Sequence, residues 1–237
     1  MKEMKSQKKS FKLYKNERII EVDNLKIEYE VERRKVKYAR LEFFGRKLRI
    51  ILPRNYKDEE AIIAKKIDWI SDKYRYLTSL MDENIKNKFL ILGEFKPIEV
   101  NGTYVNIEGM NLKKEDFVLL LKKILSEKLE EFVKKYSNEM KVKERKIVVR
   151  TQKTKWASLS SNGTLSFNLK LVSLPEDLIE YVVYHEMLHF FEKKHNSSFI
   201  RMIKEKFKDA EMREEKLRSF WVSLAENEIW RKLLIKK

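Results

Sequence analysis

Apolar residues recur two apart along the first third of the chain: Leu25, Ile27, Tyr29 and Val31, then Val36 and Tyr38, then Leu41 and Phe43. After a turn at Phe44-Gly45-Arg46 the period resumes at Leu48, Ile50 and Leu52 and stops at Pro53. A period of two lines one face of a sheet, so this stretch predicts a meander of short antiparallel strands. The period then changes. Asp58, Glu59 and Glu60 place acids where a helix N-terminus favours them, and Ile62, Ile63, Ile67, Trp69, Ile70, Tyr74 and Leu77 continue at helical spacing to about Leu80. Two further strands are predicted at Phe89–Leu92 and Ile98–Ile107, the second folded back at Asn101-Gly102. A long amphipathic helix should run from about Lys113 to Met140, with Phe117, Leu121, Leu125, Leu129, Phe132 and Tyr136 on its apolar face.

Ile147-Val148-Val149 reads as a short buried strand. It leads into a polar loop from Thr151 to Ser161, which Trp156 anchors; Asn162-Gly163 makes a turn and Thr164–Leu171 returns as a strand. Pro175 opens the next helix, where its missing N–H costs nothing, and the run Ile179, Tyr181, Val182, Val183, Tyr184 makes that helix a core element. Asn196 and Ser197 are N-cap residues for a helix starting near Ser198. A last amphipathic helix should hold Leu217, Phe220, Trp221, Leu224, Trp230 and Leu233. These elements define an α+β chain, divided into a basic tail at 1–16, a β-rich region with one helix at 17–112, and a helix-rich region at 113–237.

Composition narrows the picture. With 237 residues, 43% hydrophobic and 38% charged, the chain can bury a sizeable core. No apolar run reaches the roughly 18–20 residues of a membrane span, and the N-terminus shows no signal-peptide core. The absence of cysteine excludes disulfides and thiolate ligands and fits a cytoplasmic address. The net charge of +16 is uneven: residues 1–150 carry 37 basic against 25 acidic side chains, and residues 151–237 carry 16 against 12. Eight of the basic residues are Arg33, Arg34, Lys35, Lys37, Arg40, Arg46, Lys47 and Arg49. Such a stripe suits an anionic partner, nucleic acid or nucleotide; a solvated lysine-rich surface accounts for the same residues.

The chain has three histidines, and all three fall in His185-Glu186-Met187-Leu188-His189-Phe190-Phe191-Glu192-Lys193-Lys194-His195. On a helix His185 and His189 lie one turn apart on one face and can share an ion. Glu186 projects beside them and can reach a water on that ion as its base. A straight helix would carry His195 off that face, so the helix should end near Lys193–Lys194 and let His195 fold back as a third ligand. The fourth position stays open for water, which is the geometry of a catalytic zinc site. A buried helix can also carry two histidines merely as satisfied polar groups, but a dry core tolerates His and Glu only when they have partners.

Around these residues the sequence resembles the YgjP-like metallopeptidase family, relatives of the minimal SprT and WLM zincins. The likeness rests on QKTKWASLSSNGTLSFN, on LPEDLIEYVVYHEMLHF, and on the final histidine followed by NSSF; Asp68-Trp69-Ile70 extends it weakly toward the N-terminus. The chain departs from the family pattern at Ala157 (usually Gly), Leu159 (usually Cys), Lys155 (usually Arg) and Lys194 (usually Asn). The resemblance implies a zincin-like core, an active-site helix under a small antiparallel or mixed sheet, with His185, His189 and His195 as zinc ligands. The ligand spacing also equals that of metzincins, but Glu192 stands at their glycine position, so the turn must be made differently. The expected activity is zinc-dependent peptide hydrolysis with Glu186 as base and peptide or protein substrates. Lys155, Tyr184 and Arg201 are candidate substrate-binding donors. Two other readings stay open: a metal-dependent nucleoside triphosphate pyrophosphatase, and a nucleic-acid-associated SprT-like protease or binding module. No membrane partner is expected.

Overall fold

The computed structural model describes residues 9–56, 58–143 and 145–234. The chain divides into two compact units, residues 1–82 with 221–226, and residues 83–220 with 227–237, so the expected boundary near residue 112 is not where the chain divides.

The first unit is built on a five-stranded sheet of β1 (Phe11–Tyr14), β2 (Ile19–Val22), β3 (Leu25–Arg34), β4 (Arg40–Phe44) and β5 (Lys47–Pro53), in the order β1-β2-β3-β5-β4. The alternation does what a period of two requires. Ile20, Val22, Ile27, Tyr29, Leu48, Ile50 and Leu52 turn to one face and are buried there against Ile63, Ile67 and Ile70 of α1 (Glu59–Ser79). Each such side chain contributes about 1.5–3 kcal/mol relative to exposure. Asp58 caps α1, its side chain accepting from Ala61 N at 2.9 Å.

Two expectations are corrected in this unit. The tail is not wholly a tail: Phe11–Tyr14 pairs antiparallel with β2, its two hydrophobics packing on the core, while residues 1–8 lie outside the described residues. The sheet also departs from a pure meander, because β3 and β5 run parallel with β4 paired outside them. Half of the basic stripe is answered within the chain. Arg34 pairs with Glu32, Lys47 and Arg49 with Glu30, and Arg46 with Glu226.

That last pair is the best organised. Glu226 accepts from Arg46 N and Nε at 2.9 Å and from Nη2 at 2.7 Å, a charge-assisted fork on a half-buried carboxylate. Gly45 beside it has φ +59°, and an added Cβ would stand 2.9 Å from Glu226 Cγ, so glycine serves both the turn and the close approach.

The second unit opens with α2 (Glu83–Asn87), a two-stranded ribbon of β6 (Leu90–Ile91) and β7 (Glu94–Phe95), and a three-stranded sheet of β8 (Ile98–Asn101), β9 (Tyr104–Ile107) and β10 (Met110–Lys113). The Asn101-Gly102 hairpin joins β8 and β9 as expected. Helix α3 (Lys114–Met140) buries Phe117, Leu121, Leu125, Leu129, Phe132, Val133 and Tyr136, an i, i+4 stripe, against its neighbours. Then come β11 (Ile147–Arg150), β12 (Ala157–Leu159) and β13 (Leu165–Asn168), in the order β11-β13-β12, with β11 parallel and β12 antiparallel to β13. The returning strand is shorter than expected. It gives way at Leu169–Ser173 to a 3-10 turn that starts on the Asn168 side chain.

Helix α4 (Glu176–Leu188) packs on both α3 and β12. Leu178, Ile179, Tyr181, Val182, Val183, Tyr184, Met187 and Leu188 are all buried, so this helix is apolar on nearly every side. It is followed by α5 (Ser197–Lys206), α6 (Ala210–Ala225) and α7 (Glu228–Leu234). The single last helix expected from periodicity is two. Asn227 breaks it by accepting from Trp230 N at 2.9 Å while donating to the Ile85 and Lys88 carbonyls, as an N-cap does. Among the described residues no helix is long and apolar enough to cross a membrane.

The Arg46 fork generates a prediction for the first unit. Glu226→Ala should lower stability by about 1.5–3 kcal/mol, as expected for loss of charge-assisted bonds. Urea unfolding followed by circular dichroism checks it through a lower midpoint.

Candidate metal centre

Helix α4 ends earlier than the sequence suggested. His189 is its C-cap, not an interior residue, and the chain turns through Phe190, Phe191 and Glu192 on hydrogen bonds back to the Met187 and Leu188 carbonyls. Three residues later His195 lies just before α5. Asn196 caps α5 by accepting from Phe199 N at 2.9 Å, and its amide donates to Glu192 Oε2 at 2.6 Å. Glu192 thus ties down the connection at the place where metzincins use a glycine, and it needs no left-handed backbone to do so.

The result brings the three histidine tips together. His185 Nε2 stands 2.9 Å from His195 Nε2, and His195 Nε2 stands 3.1 Å from His189 Nε2. Three nitrogens held at 2.0–2.1 Å in a tetrahedral set would be about 3.3 Å apart, close to this spacing. The ring of Phe199 packs against all three imidazoles, with centroids 4.7–4.9 Å away.

Protonation states suit a cation. His189 Nδ1 lies 2.8 Å from the Glu192 carbonyl, which can only accept, so Nδ1 carries the proton and Nε2 presents its lone pair. Burial holds the His185 imidazole down to about 4, with its two histidine neighbours adding to the effect. Burial lowers His195 as well. Three imidazoles converging by their Nε2 atoms are a donor set for a transition metal and fit the zinc that the motif implies.

Glu186 shares the site. Burial raises its carboxyl, opposed by the nearby His189, by the N–H of Leu159 donating to it, and by the charge of Lys155. His185, Glu186, His189 and His195 line a cavity of about 740 Å³ together with β12, the turn at Ser160–Gly163, Arg145, Phe190 and Lys193.

The other expected contacts fare differently. Tyr184 is buried, edge-on to Tyr136 and Phe207, and does not line this cavity; its position on α4 turns it into the core. Arg201 is exposed on α5 and reaches Glu205 on its own helix, also away from the lining. Lys155 is exposed and acts on Glu186 only through its charge. Arg145, Phe190 and the Leu159 N–H are site features that sequence reasoning missed: Arg145 stands outside the motifs, and Phe190 and the Leu159 backbone hold no ligand or acid–base position within them.

A helix carrying H-E-x-x-H beneath a mixed three-stranded sheet, with a third histidine brought back to the pair, defines a zincin-like core. Residues 37–220 match the YgjP-like, metallopeptidase domain, and the chain belongs to that family. It is therefore a peptidase-type hydrolase that works with a metal ion. Among solved structures it is similar to the metallopeptidase zymogen abylysin of Pyrococcus abyssi, at 23% identity and a TM-score of 0.35, over 38% of this chain and 90% of that one. No curated protein matches it.

The strand that presents Leu159 is held from below by one buried side chain. Asn168 Nδ2 donates to the Gln152 and Lys155 carbonyls, both at 3.0 Å, and its backbone N–H donates to Trp156 O at 2.7 Å. The loop entering β12 is thereby clamped at three carbonyls. Asn168→Leu keeps the branched shape of the side chain and loses its three hydrogen bonds, two donated to carbonyls and one accepted from Lys170 N. The expected cost is about 2–4 kcal/mol of stability. Denaturant unfolding of the variant against wild type measures it.

Proposed function

We propose that this chain is a zinc-dependent peptidase in which His185, His189 and His195 hold the metal and Glu186 is the general base. The observation that carries the reading is the convergence of three imidazole nitrogens beside the Glu186 carboxylate in a cavity bordered by a sheet edge. Zinc, when bound there, supplies a Lewis acid that polarises a carbonyl and brings the pKa of water from 15.7 toward about 7.

The chain's own groups do the rest. Glu186 takes a proton from the attacking water as the new C–O bond forms, and gives it to the departing amine as the C–N bond breaks. The Leu159 N–H orients the carboxylate for both transfers. Burial favours the protonated form midway, while Lys155 and the N–H bond favour the ionised one.

Substrate recognition follows from the sheet. Among the described residues strand β12 is an edge strand, paired only with β13. Trp156 O and Ser160 N point to the β13 side, so the Ala157 N–H and C=O and the Leu159 C=O, of opposite parity, turn to the unpaired side, where the Leu159 N–H is taken by Glu186. An extended peptide can add to that edge by main-chain hydrogen bonds, which suits a substrate that is itself a polypeptide. The basic stripe of the first unit, half paired internally, adds nothing specific to this reading.

Two variants test the assignment. Purified wild-type protein should carry one zinc per chain by elemental analysis, and His189→Ala should lose most of it. Glu186→Gln should keep its zinc and its melting temperature while turnover of a peptide library falls by about 10²–10⁴-fold. Full zinc in His189→Ala, or full turnover in Glu186→Gln, would overturn the roles. Release of pyrophosphate from nucleoside triphosphates with no peptide cleavage would overturn the substrate class.

A further inference from the structure

Resting on the peptidase reading, we infer that this cavity selects peptides bearing a carboxylate beside the scissile bond, and that Arg145 is the residue that reads it. The charged residues lining the cavity, apart from the histidines, are Arg145, Lys193 and Glu186. Glu186 is already engaged by the Leu159 N–H. The two cations are exposed, and neither is paired with a carboxylate among the described residues. Among the described residues the cavity therefore offers two cations, Arg145 and Lys193, that no carboxylate pairs with.

Arg145 is also held in place. Its guanidinium carbon lies 5.0 Å from the centroid of the Phe190 ring, within cation–π range. It runs close to Gly163 as well: a Cβ added there would stand 3.0 Å from Nη1 and 3.4 Å from Cζ. The absence of a side chain at Gly163 thus leaves the room that the guanidinium occupies. A planar fork resting on an aromatic ring loses less freedom on binding than a free lysine does, and it matches a carboxylate with two parallel hydrogen bonds.

Topology sets where that carboxylate would be. Arg145 precedes β11, whose first residue, Ile147, registers with Leu165 just after the Asn162-Gly163 turn. The same turn follows β12 through Ser160. Strand β13 lies between β11 and β12, but Arg145 and residues 157–163 line the same cavity, so a peptide on the open edge of β12 would meet Arg145 at the turn end of that cavity. The carboxylate can belong to an Asp or Glu side chain or to the peptide's own C-terminus, and both present the same planar anion.

A purely structural Arg145 would hold the 160–163 turn against Phe190 and show itself in stability alone. The distinguishing experiment uses the full-length zinc protein and matched fluorogenic peptides. Glu or Gln is placed at each position on either side of the cleaved bond, with a free or amidated C-terminus. The same peptides are titrated by fluorescence anisotropy against Glu186→Gln, which reads binding without turnover. Wild type should favour one carboxylate position over its amide by about tenfold, expressed in KM and in anisotropy, as a charged hydrogen-bond pair allows. Arg145→Gln should bring that ratio close to one, Arg145→Lys should keep part of it, and Lys193→Gln should lose less than Arg145→Gln.

A ratio that follows the free C-terminus assigns the α-carboxylate; one that follows Glu assigns an acidic side chain. Equal handling of Glu and Gln by wild type, or a preference that survives in Arg145→Gln, would overturn the inference. Should wild type cleave no peptide at all, the peptidase reading fails in the cleavage arm, and anisotropy still decides the charge preference on its own.

Discussion

Helix α4 is buried on nearly every side, yet it carries a glutamate and two histidines in its last turn and at its cap. Polar groups in such a place must find partners or cost several kcal/mol each. Much of the second unit can be understood as supplying them. Glu180 on the α3 side accepts from the Tyr136 hydroxyl at 2.8 Å and from Lys135. Tyr181 donates to Glu214 at 2.9 Å. Glu186 receives the Leu159 N–H, and His189 donates to the Glu192 carbonyl. What is left over after this pairing is the three Nε2 atoms. With the tautomer of His189 fixed, its Nε2 lone pair faces His195 Nε2 at 3.1 Å, and His185 Nε2 stands 2.9 Å from the same atom, a grouping of donors suited to holding a cation.

The supporting interactions form a chain from core to site. Asn168 clamps the loop at Gln152, Lys155 and Trp156; the clamped loop delivers β12; β12 presents Leu159 to Glu186. On the other side, Asn196 and Glu192 hold the connection that returns His195, with Phe199 beneath all three rings. The departures from the family pattern fall on this framework without removing a contact it needs. At Leu159 the group in use is a backbone N–H, which any residue but proline supplies. Ala157 is buried in the strand, where a small side chain still fits.

Charge is distributed differently in the two units. The basic positions of the N-terminal sheet looked like an anion-binding stripe, but Glu30, Glu32 and Glu226 take up Lys47, Arg49, Arg34 and Arg46. Apart from the half-buried Arg46–Glu226 fork, pairs of this kind contribute about 0–1 kcal/mol each, so they neutralise more than they stabilise. Among the described residues, Arg145 and Lys193 beside the metal centre have no such partners. An uneven net charge in sequence thus says little until the acids that answer it are located in space.

Periodicity determined most of the elements, because burial of one face imposes a period of two or 3.6 wherever it acts. The strands at Leu25, Leu41 and Leu48, α1, α3 and the Asn101-Gly102 hairpin all follow from it. The H-E-x-x-H pair was legible for the same reason, since i and i+4 share a helix face whatever surrounds them. Tertiary structure alone decided the rest. The pairing of β3 with β5 in parallel and of β1 with β2 depends on contacts between strands, which no local pattern encodes. The C-terminal helix splits at Asn227 because its side chain finds carbonyls at Ile85 and Lys88, far away in sequence. Tyr184 reads as a neighbour of the ligands in sequence, but a helix turns successive residues by about 100°, and that rotation sends it into the core. Arg145 comes to the site from forty residues upstream through the register of β11 with β13, a placement that exists only once the sheet has formed.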